Sequence, residues 1–417
     1  MKSWIMLLAA FAASVFVALP SAIVAADRPI PKQVDLRSRF AKFGLTPRAQ
    51  GARDTCSAFA LTGVAEYEMA RSGSGRSPRL SEEYLVWGAN DATGLTGDQA
   101  TFIEALQGLT RLGICTATAM PYEAQSDQQR SPTAAAREEA GRHGHWSAVW
   151  IKRWNVNRGM TPAELTAIKT ELANDHPVAI SLRWPQEPRL SPINVLERPP
   201  AAEIRDGHSV VLAGYQDDPN NSASGLFIVR NSDGPGWGVE GYAYITYGYA
   251  AEYCNEALAL RHDSAAAGAA RFQVTARFEA ESLKIVKTSP RCLPEVRDMH
   301  DWGSKQWGAG KQLYCAAENG GSLELEYEVP EEGRFEIFLY LTLAPDFGRL
   351  KILIDGRVLT RQPDGFCGRV EPSGPLSLGI HDLKQGPHRL IVATIGKNDL
   401  SAGHSFGIDA FELFPRR

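Results

Sequence analysis

Two kinds of hydrophobic periodicity divide the chain. From Ser57 to Ser72 the run SAFALTGVAEYEMARS holds strong helix formers, brings Phe59, Val64 and Tyr67 toward one face, and stops at Ser72-Gly73-Ser74-Gly75. The spacing predicts a helix with Cys56 at its start. FIEALQGLTR, after Thr101, repeats that spacing and predicts a second helix ending near Arg111. Farther along, HSVVLAGY (His208 to Tyr215), GLFIVRN (Gly225 to Asn231) and GYAYITY (Gly241 to Tyr247) are short, β-branched and aromatic. Asp-Asp-Pro-Asn-Asn and Asp-Gly-Pro-Gly turns separate them, as antiparallel strands require. Helices early and sheet late make this part α+β.

Asp263 to Ala270 (DSAAAGAA) contains no core-forming residue and reads as a linker. Beyond Phe272 the pattern alternates almost without break. SLELEYEVP sets Leu323, Leu325, Tyr327 and Val329 on one face and Glu324, Glu326 and Glu328 on the other. RFEIFLYLTL, LKILIDGRVL, HRLIVATI and FGIDAFELF continue it, with an Asp355-Gly356 hairpin signal. These are the strands of an all-β jelly-roll sandwich. The domain plan is therefore 1–26 as an export signal, 27–264 as the α+β domain, 265–271 as linker and 272–417 as the sandwich. Each domain has a full core of its own, and few contacts are expected to cross the linker.

A length of 417 residues agrees with two domains. The net charge of -4 gives no basic footprint, which excludes nucleic acid as a partner. Residues 1–26 read as a cleaved signal: Lys2, an apolar run from Trp4 to Leu19, Pro20, then Val24-Ala25-Ala26 before Asp27. The run is shorter than the roughly 20 residues that span a bilayer, and no later segment crosses one, so the expected location is secreted or periplasmic with no transmembrane anchor. Six cysteines in an exported chain permit disulfides. Cys115 and Cys254 are a candidate pair, and Cys292, Cys315 and Cys367 offer one bond, with the connectivity open. If Cys56 stays reduced, one further free thiol is expected.

Candidate chemistry sits in QGARDTCSAFA (Gln50 to Ala60), DGHSVV around His208, and VRNSDGPGWG around Asn231. A thiol attacks a carbonyl as thiolate, so it needs a proton acceptor beside it and gains from a helix N-terminus beneath it. The order Gln50, Cys56, His208, Asn231 resembles that of papain-like cysteine peptidases over about residues 30 to 262. The likeness includes VDLR (Val34 to Arg37), LSEEYLVW (Leu80 to Trp87), MPYEA (Met120 to Ala124) and the neighbours Ala58-Phe59, Gly214-Tyr215 and Gly236-Trp237-Gly238. The resemblance implies a helical lobe facing an antiparallel β lobe, with peptide or protein as substrate and no cofactor. It casts Cys56 as nucleophile, His208 as base and then acid, Asn231 as the group that holds the imidazole, and Gln50 with the Cys56 N–H as oxyanion donors.

Two departures stand out against that pattern. The cysteine, glycine and aromatic usual around the nucleophile are missing from Arg53-Asp54-Thr55-Cys56-Ser57, and with that upstream cysteine goes its disulfide. Asp233 takes the place of the tryptophan that shields the histidine–asparagine bond, which predicts a wetter bond. The short stretch between the export signal and VDLR leaves no room for an inhibitory propeptide, so the enzyme is expected to be active on folding or restrained from outside.

His143-x-His145 lacks the companions of a metal site, and Gly234, Gly236, Gly238 and Gly241 are turn glycines without the strand-to-helix context of a phosphate cradle. The second domain resembles the galactose-binding-like carbohydrate-binding modules of families 6 and 35 through FEAESL (Phe278 to Leu283), the Ile354-Asp355-Gly356 hairpin and GIDAFEL (Gly407 to Leu413). That likeness makes Glu279, Glu281 and Asp409 candidates for a structural calcium and a glycan the candidate partner. Trp302, Trp307, Tyr314, Phe347 and Phe366 are the rings that could stack on a sugar. Two other readings share these residues: an adhesion protein of weak catalytic power, and an acyl transferase using the same triad.

Overall fold

The computed structural model describes residues 29–415 apart from 74, 94, 263–274, 303–306 and 360–361. The export signal and the DSAAAGAA stretch lie outside the described residues.

The helix Cys56–Ser72 runs through the interior of the first half, with 13 of its 17 residues buried. It is therefore not a one-sided helix of the kind Phe59, Val64 and Tyr67 predict. Small residues (Ala58, Ala60, Gly63, Ala65) let neighbours approach all round, as a fully buried helix needs. Beside it lie the helices Glu82–Thr93 and Phe102–Leu112, the second opened by a Thr101/Glu104 capping box. These two meet at Gly88 and Gly108, where a Cβ on Gly108 would stand 2.5 Å from the Gly88 carbonyl carbon.

Against this helical lobe stands a seven-stranded antiparallel sheet. Its order is Trp146–Lys152, Cys254–His262, Val178–Pro185, Ile204–Asp218, Asn221–Arg230, Tyr242–Thr246, with Gln33–Asp35 paired to Ile204–Asp218. The helix Cys56–Ser72 packs on the His208 strand, and Ser57 Oγ meets Ser209 Oγ at 3.0 Å across that seam.

The second half is a sandwich of a six-stranded and a five-stranded sheet. The strand Ser322–Val329 follows its predicted alternation, with Leu323, Leu325, Tyr327 and Val329 buried and the three glutamates turned outward. Each buried leucine contributes about 1.5–3 kcal/mol of hydrophobic stabilisation. Cys292 and Cys315 form a disulfide on adjacent strands. Cys115, Cys254 and Cys367 are free and buried, so the Cys115–Cys254 pairing and the single extra thiol are both corrected: three thiols besides Cys56 are unbridged.

The expectation of few contacts between the halves is also overturned. Arg153 Nη1 donates to the Ser373 carbonyl at 3.0 Å, Cys367 Sγ to the Trp154 carbonyl at 3.3 Å, and the Arg369 guanidinium stacks 4.8 Å from the Trp154 ring. A cavity of about 790 Å³ lies between the halves, lined by Trp87, Arg137 and Trp146 on one side and Glu336, Phe338 and Phe414 on the other. The outward positions of a sandwich strand, polar in the Glu324–Glu328 stretch, become aromatic where they face the other half. Among the described residues no helix is long and apolar enough to cross a membrane.

Candidate active site

Cys56 is the first residue of its helix, with Thr55 at the N-cap, so the thiol sits where backbone N–H groups are unpaired and the helix dipole favours an anion. It is partly exposed. Burial raises its pKa, but hydrogen bonds and charge from His208 and the hydrogen bond from the Ser209 backbone outweigh that, leaving the thiol below its usual 9.0. For His208 burial acts downward; the contacts with Cys56, the Asn231 bond and the charge of Asp233 carry it above 6.5. Both shifts favour moving the thiol proton to the imidazole.

Asn231, immediately after the strand Asn221–Arg230, is 2% exposed and accepts from His208 Nε2 at 2.7 Å through Oδ1. That leaves His208 Nδ1 for the thiol. The Asn231 amide has further partners: Ser232 N donates to Oδ1 at 2.9 Å, and Nδ2 donates to Asp233 Oδ2 at 2.6 Å. The wetter bond expected from Asp233 is not found. Trp184, from the neighbouring strand and 4% exposed, lies 4.7 Å from the His208 ring, and Trp237 stands 6.4 Å beyond it. An indole from another strand thus covers the imidazole.

Gln50 reaches the same place from the loop before the helix. Its backbone N–H donates to Ser232 O at 2.8 Å, its Oε1 accepts from Ser232 Oγ at 2.5 Å, and its Nε2 donates to Arg53 O at 2.8 Å. One proton of Nε2 remains for an oxyanion. The loop is held by Arg53, whose guanidinium pairs with Glu83 at 2.6 Å and Asp98 at 2.8 Å and stacks on Tyr122 at 4.7 Å. Tyr122 in turn donates to Gln50 O at 2.9 Å and shares a hydrogen with Thr55 Oγ1 at 2.7 Å. The Arg53 and Glu83 side chains are 5% and 6% exposed, so the loop before the helix is held by a buried ion pair. The glycines of the Asn231 turn have positive φ at Gly234, Gly238 and Gly241, as their turn roles require; a Cβ on Gly241 would strike Pro47 at 2.6 Å.

The structure thus gathers Gln50, Cys56, His208 and Asn231 at one point. Ser209, Ser232, Trp184, Arg53 and Tyr122 complete the site and were not singled out from sequence. Arg53 had a signal: an arginine inside the nucleophile motif and a Glu-Glu pair in LSEEYLVW.

Glu279, Glu281 and Asp409 lie apart, in the sandwich. Arg277 pairs with Glu279 at 2.6 Å and approaches Asp409 at 3.7 Å, and the Gly308 N–H donates to Asp409 at 2.7 Å. Burial, with the charges of Glu279 and Glu281, pushes Asp409 up to about 7. Calcium takes 6–8 oxygens, whereas here a guanidinium is the cation among the acids, and among the described residues no three His, Cys, Asp or Glu side chains converge as a metal set. Of the five candidate sugar-stacking rings, Trp307, Tyr314 and Phe347 are core, while Trp302 is 47% exposed and Phe366 half-buried.

The profile of the papain family cysteine proteases matches residues 30–260. No curated protein matches the chain at a significant level. Among solved structures, the cysteine protease and lectin-like domains of Cwp84, a surface layer associated protein of Clostridium difficile, align at 11% identity with a TM-score of 0.55, over 93% of this chain and 89% of that one. A clostridial Cwp84 structure after propeptide cleavage aligns at 12% identity and a TM-score of 0.53, over 91% of this chain and 98% of that one. Xylellain, a cysteine protease from Xylella fastidiosa, aligns at 19% identity and a TM-score of 0.46, over 56% of this chain and 87% of that one.

Proposed function

Because the chain belongs to the papain family of cysteine proteases, we propose that it hydrolyses peptide bonds with Cys56 as nucleophile, His208 as base and acid, Asn231 as the orienting amide and Gln50 as oxyanion donor. The observation that carries this assignment is the hydrogen-bonded chain from the Cys56 thiol through His208 to Asn231, set at a helix N-terminus. The Cys56 thiolate attacks the scissile carbonyl. The oxyanion that forms accepts hydrogen bonds from the free Gln50 Nε2–H and the Cys56 backbone N–H, groups already in place before the charge develops. His208 passes its proton to the leaving amine, a thioester remains, and water deprotonated by His208 releases the acid. The downward shift of Cys56 and the upward shift of His208 both favour a thiolate–imidazolium pair. Activity falls on the acid side as the thiolate takes a proton and on the basic side as His208 loses one.

Alkylation tests the assignment. Burial pushes each of Cys115, Cys254 and Cys367 up to about 12, so at pH 5 to 6 iodoacetamide or an epoxide inhibitor should label Cys56 at least about 100-fold faster than the rest. Cys56→Ala should remove both labelling and peptide hydrolysis. Equal labelling of all four thiols in the native protein would refute the assignment.

We further propose that the protein is exported and that the sandwich directs the peptidase to a surface, a glycan being the candidate ligand. The Cys292–Cys315 disulfide suits an oxidising compartment, and the protease plus lectin-like layout of Cwp84, a surface layer associated protein, supports the reading.

A further inference from the structure

The turn Asn231-Ser232-Asp233 holds both halves of the catalytic machinery at once. Ser232 Oγ orients the Gln50 amide, and Asn231 orients His208. Asp233 completes the set. Its backbone is pinned by a β-bridge to Ala49, and the next residue's N–H donates to Arg48 O at 3.2 Å, so the carboxylate is delivered to Asn231 by the same loop that carries Gln50.

The hydrogen-bond polarity around Asn231 allows one amide orientation. Oδ1 faces two donors, His208 Nε2–H and Ser232 N–H; Nδ2 faces Asp233, and a carboxylate only accepts. Rotating the amide by half a turn would set Nδ2 against both donors and Oδ1 against the anion, three repulsive contacts where there were three bonds. Asn231 is 2% exposed, so water cannot substitute for these partners. Resting on the reading that Asn231 positions His208, we propose that Asp233 is a fourth, positioning member of the Cys56–His208–Asn231 relay, locking the Asn231 amide with its oxygen toward the imidazole. Asp233 itself is exposed on its other side, so its charge is screened and its main effect is geometric. The charge adds a small preference for the imidazolium.

The experiment is a set of pH profiles of kcat/KM on a small peptide for the full chain, Asp233→Ala, Asp233→Asn, and each in an Asn231→Ala background, with thermal melting to show that each variant folds. Asp233→Ala should lower kcat on the order of tenfold with KM nearly unchanged. Asp233→Asn can still present an oxygen to Asn231 Nδ2; it should restore the plateau to within about threefold while moving the basic limb to lower pH by a fraction of a unit, a shift that shrinks with added salt. In the Asn231→Ala background neither substitution should lower kcat further, since the amide they orient is gone. An equal loss from Asp233→Ala with and without Asn231, or a folded Asp233→Ala variant as active as the parent, would overturn the proposal. Full activity in Cys56→Ala would instead overturn the functional reading, and this one with it.

Discussion

Two buried surfaces of the molecule are built from different residues. The peptidase helix Cys56–Ser72 carries Glu66 and Glu68 into the interior at 0% exposure, Glu66 meeting Arg48 and Glu68 meeting Arg71 and His176. The sandwich strand Ser322–Val329 buries only Leu323, Leu325, Tyr327 and Val329. Buried ion pairs contribute little net stability against well-packed apolar groups, and losing one partner is costly. They are present where side-chain geometry has to be specified, and the Arg53 network under Gln50 is the plainest instance. In the sandwich, buried carboxylates occur mainly toward the peptidase: Asp409 lines a space with Gln107 and Arg111, and Glu371 lies within electrostatic reach of Glu256. Polar burial therefore marks the regions that position something, either the catalytic groups or the second domain.

Arg53→Ala attacks the comparison hardest. It strands Glu83 and Asp98 and removes the stack under Tyr122, so chemical denaturation should show a loss of about 3–5 kcal/mol. Peptide kcat/KM should fall as well, beyond what the folded fraction explains, and Arg53→Lys should rescue neither, because a point charge cannot serve two carboxylates and a ring. A stability loss with unchanged kinetics would reduce the network to scaffold. Leu325→Ala is the matching change in the sandwich: a cavity costing about 2–5 kcal/mol in the second half, with small-peptide kcat/KM unaltered while the protein stays folded. A fall in kcat would make the sandwich part of the catalytic unit.

The smallest expected effect lies at the boundary between the halves. Glu256 is 1% exposed and accepts the Phe102 N–H at 3.2 Å; burial first, then the charge of Glu371, pushes its pKa from 4.5 up to about 8. Between those values the folded protein keeps a proton that the unfolded chain has released, so stability falls as pH rises through the window. Glu256→Gln keeps an acceptor and removes the titration. Its melting temperature should match the parent near pH 4.5 and exceed it by about 2–4 °C at pH 8. Parallel melting curves across that range would show that Glu256 does not titrate within it.

The strands of the sandwich were legible because a period of two is written in consecutive residues, and SLELEYEVP needs no distant partner to reveal its buried face. The nucleophile helix was legible in its extent but not in its burial, since an all-round apolar environment depends on the sheet and helices that enclose it. The proposed catalytic set was legible as residue types in order. Its supports were not: Ser232 meets Gln50 across 182 positions, and Trp184 covers His208 from another strand. The cysteines teach the same lesson. Cys115 and Cys254 were a plausible pair by count, yet each is buried among its own neighbours, and only strand pairing between Cys292–Asp298 and Lys311–Ala317 brings two sulfurs together.

By itself the sequence determined the Cys56 and Phe102 helices and the alternating strands, the division into an α+β half and an alternating half, and the identities of thiol, imidazole and amides, because local periodicity and side-chain chemistry belong to the residues themselves. The tertiary structure alone decided that Asp233 meets the Asn231 amide, that Arg53 pairs with Glu83 and Asp98 beside Gln50, and that the two halves share a packed boundary. Each of these depends on a hydrogen bond, ion pair or ring contact between segments far apart in the chain, and such contacts are set by how the elements pack.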